Sequence, residues 1–203
     1  MRVIARSETM SKENKEPAYF SVDAEASGPI PSLYNMLSVG AVMVRDRSKR
    51  FYMELKPDTA RYDKEALGVT GFSMERLMET GIESAEAMGN FADWIVRTAE
   101  GRRAVLVSFG TFDWMFVQDY LGRHGGRFVF GINGLDMKSF AFGLLDDIPN
   151  WNESSGKRVM DLIGIVRDPQ EKQHNALHDA MLQARMFERL LEIKNGRGKR
   201  VAT

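Results

Sequence analysis

Apolar and polar residues alternate along the first third of the chain in a way that predicts β-structure. The segment YFSVDAEA (19–26) is short, rich in β-forming residues and followed by Ser-Gly-Pro at 27–29, which indicates a strand and then a turn. Two more strands are predicted at 37–45 and 50–57. The polar residues 46–49 between them predict the turn of an antiparallel hairpin.

The rest of the chain mixes helical periodicity with two further strand-type segments. Apolar residues recur at helical spacing through 84–100. The other predicted elements are, in order, a strand at 104–110, a helix at 111–123, a short strand at 128–130, and helices at 136–146, 158–166 and 175–194. This order predicts an α/β fold in which helices cover the faces of a mixed sheet.

The length of 203 residues fits one domain, which we expect at 18–195. Residues 1–17 are polar and lack periodicity, which predicts a flexible N-terminal arm with Met10 as a second candidate start. The basic residues 196–203 are predicted to form a C-terminal tail.

Composition narrows the class of protein. The chain contains no cysteine, which excludes disulfides and thiolate metal sites and fits a reducing compartment. It has neither an uncharged apolar run long enough to span a membrane nor an apolar signal segment. We therefore expect a cytoplasmic protein without a membrane partner. The 28 basic and 28 acidic residues balance, which taken alone argues against a nucleic-acid partner.

Two carboxylates lie near the end of the first predicted strand. Asp23 and Glu25 are two residues apart, so in a strand they point to one face, while Phe20, Val22 and Ala24 face the core. Like charges this close raise each other's pKa, and hard divalent cations prefer such oxygen ligands. A solvated acidic edge strand is the alternative interpretation.

The segment QHNALHDA at 173–180 carries further candidates at the start of the last predicted helix. The helical period places Asp179 on the flank of the apolar stripe, from which it can reach the sheet edge. His174 precedes the helix, with Asn175 as a candidate N-cap, and either approaches the same site as a base or is an ordinary surface histidine. His178 falls nearly opposite the stripe and is expected to be solvated.

A further acid, Asp113, lies at the junction between the strand predicted at 104–110 and the following helix. Because the helix dipole favours an aspartate in a first turn, a purely structural role stays open. Phe112, Phe116 and Tyr120 recur at helical spacing and are interpreted as core packing.

Together these segments resemble the three motifs of the DEDDh family, also called DnaQ-like 3′→5′ exonucleases. The resemblance is carried by DAE at 23–25, FD at 112–113 and HNALHDA at 174–180, and it extends over residues 18–192. LSVGAV at 37–42 and EALGVTGFS at 65–73 also resemble family segments.

The resemblance implies an RNase H-like fold, in which a five-stranded mixed sheet has the order 3-2-1-4-5, an antiparallel second strand and flanking helices. It implies that Asp23, Glu25, Asp113 and Asp179 bind two Mg²⁺ ions, for which Mn²⁺ can substitute. It also implies that His174 is the general base of a two-metal-ion hydrolysis that releases 5′-mononucleotides from 3′ ends.

The chain departs from the family pattern beside these motifs, which affects substrate choice more than catalysis. Ala26 stands where many members carry threonine, and its backbone is expected to contact the terminal sugar. Phe72 is a candidate wedge against the terminal base, with core packing as the alternative.

The expected partners are 3′ ends of single-stranded or short DNA or RNA. Proofreading-type, RNase T-like and oligoribonuclease-like substrates all stay open. Two other functions also stay open: a nucleic-acid-binding module of the same fold without turnover, and a phosphodiesterase for small nucleotides. Because some relatives dimerise, a homodimer is also considered.

Charge balance does not exclude nucleic acid once the four acids of the motifs are set aside. The remaining 28 cations and 24 acids give a net charge of +4, which is the charge expected when two divalent ions neutralise the motif carboxylates. This predicts a local, metal-dependent grip on a strand end rather than a broad basic surface.

Overall fold

The computed structural model describes residues 16–125, 127–170 and 172–200, and in this part of the chain five strands form one sheet. The strands are β1 (Ala18–Ala26), β2 (Met36–Met43), β3 (Asp46–Glu54), β4 (Ala104–Ser108) and β5 (Leu135–Asp136). Their order is β3-β2-β1-β4-β5. β2 is antiparallel to β1 and β3, whereas β4 is parallel to β1 and β5. The predicted mixed sheet is therefore confirmed.

Seven α-helices flank this sheet within the described residues. They are α1 (Lys64–Thr70), α2 (Met74–Thr80), α3 (Ser84–Ala99), α4 (Phe112–Tyr120), α5 (Met137–Leu144), α6 (Gly156–Ile163) and α7 (Ala176–Arg200). A π-helical turn, Leu121–Gly125, follows α4, and a 3-10 turn, Trp151–Glu153, precedes α6. None of the helices in the described part of the chain combines the length and hydrophobicity that crossing a membrane requires.

Each face of the sheet buries its own core. The predicted alternation in β1 is confirmed, because Phe20, Val22 and Ala24 pack on the face covered by α3. The opposite face packs against α7, where Tyr19 meets Phe187 edge to face at 5.2 Å between ring centroids. Since side chains alternate along a strand, Asp23 and Glu25 point to the α7 side.

The hairpin between β2 and β3 turns earlier than predicted. Its turn falls at residues 44–45, and β3 already begins at Asp46. The pairing then shifts from Val42 with Arg50 to Met43 with Asp46, so the polar residues 46–49 form an irregular stretch of strand. The polar residues 46–49 therefore lie in β3 rather than in the turn.

The strand predicted at 128–130 is wrong. A hydrogen bond from the Gly131 N–H to the Phe128 carbonyl (3.0 Å) closes a turn there, and the fifth strand is Leu135–Asp136. Phe130 is buried, with its ring centroid 6.1 Å from those of Phe20 and Phe91. The Phe130 side chain therefore fills the core from a turn. A buried apolar residue in a turn gives the same local sequence pattern as a short strand.

The ends of several elements also differ from the expectations. α1 and α2 were not among the predicted helices, and α4 gives way to the π-helical turn before residue 123. α7 continues to Arg200, beyond the predicted end at 194. The predicted arm at 1–17 lies almost entirely outside the described residues.

Candidate active site

The end of β1 extends beyond its parallel neighbour and meets an aspartate instead. The pairing of β1 with β4 ends at Ser21 and Val107. Beyond this point the Ala24 N–H donates to Oδ1 of Asp113 at 3.0 Å, and Asp113 is buried in the first turn of α4. The Asp113 carboxylate therefore replaces the missing strand partner and lies close to the acids of β1.

The start of α7 reaches the same edge of the sheet. Asn175 is confirmed as its N-cap, since its Oδ1 accepts from the His178 N–H at 3.1 Å. Asp179 is the fourth residue of α7 and is mostly buried. Helical spacing thus predicted its position on the flank correctly.

His174 joins the carboxylates through an unusual backbone conformation. Its φ of 58° is left-handed, a region that few residues other than glycine adopt. In this conformation its N–H donates to Oδ2 of Asp179 at 2.9 Å. Candidate ligand atoms of Glu25, His174 and Asp179 lie within 4.8 Å of one another. The loop thus brings an exposed imidazole to the acidic cluster.

Three of the four carboxylates have raised pKa values. Burial, followed by the charges of Asp113, Glu25 and Asp179, raises the pKa of Asp23 well above its ordinary value. Burial, followed by Asp179 and Asp113, raises the pKa of Glu25 to about 7. Burial also raises the pKa of Asp113, against hydrogen bonds from backbone N–H groups. Negative charge therefore outweighs positive charge at the cluster.

This donor set fits divalent metal ions. Carboxylate oxygens are the ligands that Mg²⁺ and Mn²⁺ prefer, and a bound divalent cation favours the ionised form of carboxylates whose pKa values burial and neighbouring charges raise. Glu25 and Asp179 converge closely enough to share an ion. Asp23 and Asp113 both interact electrostatically with Asp179.

Two side chains that sequence reasoning missed support the cluster. Gln183 of α7 is buried; its Nε2 donates to Oδ1 of Asp23 at 2.7 Å, and its Oε1 accepts from the Phe109 N–H at 3.1 Å. Arg167, between α6 and α7, donates from Nη2 to Oδ1 of Asp179 at 2.5 Å. The spacing of four residues from Asp179 could have indicated Gln183, whereas the loop position of Arg167 gives no periodic signal.

Two cavities flank the acids, and we call them the α7 cavity and the α1 cavity. The α7 cavity, of about 620 Å³, is lined among others by Asp23, Lys157, Arg167, His174, Asp179 and Gln183. The α1 cavity, of about 480 Å³, is lined among others by Glu25, Ala26, Val69, Thr70 and Phe112. Asp23 and Asp179 therefore line one cavity, and Glu25 lines the other.

Two side-chain expectations need correction. Core packing is confirmed for Phe116 and Tyr120, but Phe112 is 40% exposed and lines the α1 cavity. His178 is half-buried rather than solvated, because its Nδ1 accepts from the Lys172 N–H at 2.8 Å and so folds the loop back onto α7.

The two predicted substrate contacts have different surroundings. Ala26 is buried directly after Glu25, where the pairing register of the strand shifts. Phe72 packs partly against the cluster of Leu37, Met74 and Leu77 and does not line the α1 cavity.

The solved structures that this chain resembles include nucleases. The nuclease domain of 3′hExo, a DEDDh family member bound to rAMP, matches with a TM-score of 0.71 at 13% identity, over 88% of this chain and 94% of that one. Exonuclease I of E. coli in complex with a dT13 oligonucleotide matches with a TM-score of 0.68 at 15% identity, over 90% of this chain and 42% of that one. At these identities the likeness establishes the fold.

A closer relative establishes the family. The 3′-5′ DNA exonuclease Cap18 of Escherichia coli is 38% identical over 171 residues, which are 83% of this chain and 89% of that protein. No protein-family model matches the chain. The chain belongs to the DEDDh family of 3′→5′ exonucleases, which are metal-dependent enzymes that hydrolyse nucleic acid.

Proposed function

We propose that this chain shortens single-stranded DNA from its 3′ end, releases 5′-mononucleotides and uses two Mg²⁺ ions, for which Mn²⁺ can substitute. The observation that carries the proposal is the convergence of all four motif carboxylates and His174 at one edge of the sheet. DNA rather than RNA is favoured because the relative at 38% identity is a DNA exonuclease.

Asp23, Glu25, Asp113 and Asp179 would hold the ions. Bound divalent ions supply Lewis-acid stabilisation of the charge that develops on the attacking and leaving oxygens. The fixed geometry of the acids, set by β1, α4 and α7, orients this charge before the substrate arrives.

His174 would accept the proton of the attacking water through a ring nitrogen. Imidazole exchanges protons near neutral pH, and the ring lies within 4.8 Å of the Glu25 and Asp179 ligand atoms. Its exposed position on a loop lets it return that proton to solvent after each turnover.

The α1 cavity would receive the terminal nucleoside. It begins at Glu25 and Ala26, next to the carboxylates, and Val69 and Phe112 give it apolar walls. The exposed ring of Phe112 can stack on a base, which is how aromatic side chains bind single strands. Contact of Ala26 with the sugar and the wedge role of Phe72 stay predictions.

Single strands of the same sequence in DNA and RNA form, incubated with Mg²⁺ or with a chelator, test the proposal. We expect faster shortening of the DNA, a 5′-mononucleotide product and no turnover with the chelator. Preference for RNA would contradict the assignment of DNA, and long strands left intact while dinucleotides are cleaved would favour the small-nucleotide phosphodiesterase. A cytoplasmic location, a homodimer and the domain boundaries stay predictions.

A further inference from the structure

We propose that Arg167 binds a phosphate of the substrate strand beside the carboxylate cluster. The inference rests on the proposed function, since it places a nucleic-acid strand in the α7 cavity, which Arg167 lines together with Asp23, His174 and Asp179. Arg167 belongs to the segment between α6 and α7 that also carries His174.

Within the part of the chain that the structure describes, the guanidinium of Arg167 lacks a full set of hydrogen-bond acceptors. Nη2 donates to Oδ1 of Asp179, but Nη1 is buried and has no partner among the described residues. A guanidinium carries five N–H donors in a planar fork, and a buried donor without an acceptor costs free energy. If Arg167 served only to orient Asp179, nothing would explain why its buried Nη1 donor lacks an acceptor.

A phosphodiester supplies the missing acceptor. Its negative charge is repelled by the four acids, so a cation beside them lowers the cost of its approach. A guanidinium binds phosphate oxygens through two parallel hydrogen bonds, which an ammonium cannot do. Because Nη1 is buried in its present rotamer, the side chain must rotate towards the cavity to make this contact.

Lys157, the other cation that lines the α7 cavity, is less suited to this role. Its ammonium pairs with Asp161 at 2.9 Å and its side chain is 83% exposed, whereas the Arg167 side chain is 28% exposed. Electrostatic interactions strengthen away from bulk water. Lys157 therefore provides a matched control in the same cavity.

Measuring the affinity of Arg167 variants for single-stranded DNA distinguishes phosphate binding by Arg167 from a role in holding Asp179. We would measure it at saturating Mn²⁺ in a His174→Asn background, which suppresses turnover, with Arg167→Gln, Arg167→Lys and Lys157→Gln. We expect a loss of about tenfold for Arg167→Gln, a smaller loss for Arg167→Lys and little change for Lys157→Gln. Calorimetry without DNA should show that Mn²⁺ affinity changes much less.

A neutral methylphosphonate in place of one phosphate identifies the partner. When the methylphosphonate replaces the phosphate that Arg167 contacts, it should weaken DNA binding by the protein that keeps Arg167. The same replacement should have little effect on DNA binding by Arg167→Gln. Equal losses in both proteins at each of the last two linkages would overturn the inference. So would a loss of Mn²⁺ affinity with unchanged DNA affinity at saturating Mn²⁺. If the chain with His174 intact leaves DNA unshortened, the proposed function itself fails.

Discussion

Gly40 on β2 lies directly against the backbone of Ala176, the first residue of α7, and leaves no room for a side chain between them. In the sheet, Gly40 also pairs with Asp23. Through these two contacts Gly40 links β1, which carries the first acid, to the helix that carries Asp179. The geometry of the cluster depends on a glycine that supplies no ligand of its own.

Replacing Gly40 by alanine should displace α7 and the residues at its start. Overpacking of this kind costs about 1–3 kcal/mol of folding free energy, and the exonuclease rate should fall further because Asp179 and His174 move with the helix. Urea unfolding and a rate assay check both. Gly89→Ala in α3, where a Cβ meets no atom within 4 Å, should leave stability equal or slightly higher. If Gly40→Ala kept the stability and the rate of the wild type, the role of Gly40 in positioning α7 would be contradicted.

Gln183 should tune metal affinity through Asp23. Gln183→Met keeps the volume of the side chain but removes the 2.7 Å hydrogen bond to Asp23. Loss of such supporting bonds costs roughly tenfold or more in metal affinity, so Mn²⁺ titration should show a decrease of this order. In an Asp23→Asn background the same substitution should change little, because the group it orients is already altered. Additive losses would show that Gln183 acts elsewhere.

The stability of the metal-free chain should fall as pH rises through the range set by Glu25. Burial, followed by the charges of Asp179 and Asp113, raises the pKa of this group from 4.5 to about 7. Between these values the folded chain holds a proton that the unfolded chain has lost, so folding weakens as pH increases.

Glu25→Gln isolates this effect, since glutamine has no such proton to lose. With a chelator, the variant should melt close to the wild type at about pH 5 and above it at about pH 8, where the wild-type carboxylate is forced to ionise. Saturating Mn²⁺ at the higher pH should reverse that order, because the metal stabilises only the chain that keeps the carboxylate. A melting difference independent of pH would contradict the cause assigned to this pKa shift.

His174→Asn tests the base without disturbing the loop. Asparagine tolerates the left-handed φ of 58° found here, and the histidine side chain is exposed, so folding and Mn²⁺ affinity should be retained. The rate should fall by about 10²–10⁴, the usual contribution of a general base. His124→Asn, at a histidine that lines neither the α7 nor the α1 cavity, should keep the wild-type rate. An undiminished rate in His174→Asn would remove His174 from the mechanism.

Sequence patterns anticipated the residues whose position follows from periodicity. Alternation placed Asp23 and Glu25 on one face of β1, and the helical period placed Asp179 on the flank of α7. The resemblance supplied the sheet order, which local patterns alone do not determine. The strand predicted at 128–130 is wrong because β5 pairs over only two residues and Phe130 reaches the core from a turn.

Other parts of the site depend on tertiary contacts that leave no pattern in the sequence. Arg167 lies in a loop, and its partner Asp179 is twelve residues away. The role of Gly40 becomes visible only where α7 crosses β2. Phe112 has the spacing of a core residue, yet it lies at the exposed start of α4, where the α1 cavity opens.

The most direct test of 3′→5′ exonuclease activity follows the fate of each end of one DNA strand. A single strand labelled at its 5′ end and the same strand labelled at its 3′ end would be incubated with Mg²⁺ and either the wild type or Asp113→Asn, which keeps the oxygen that accepts from Ala24. We expect a 5′-labelled ladder that shortens one nucleotide at a time, immediate release of the 3′ label as a mononucleotide, and no turnover by the variant. Release of the 5′ label first, internal fragments, or equal turnover by Asp113→Asn would contradict this expectation.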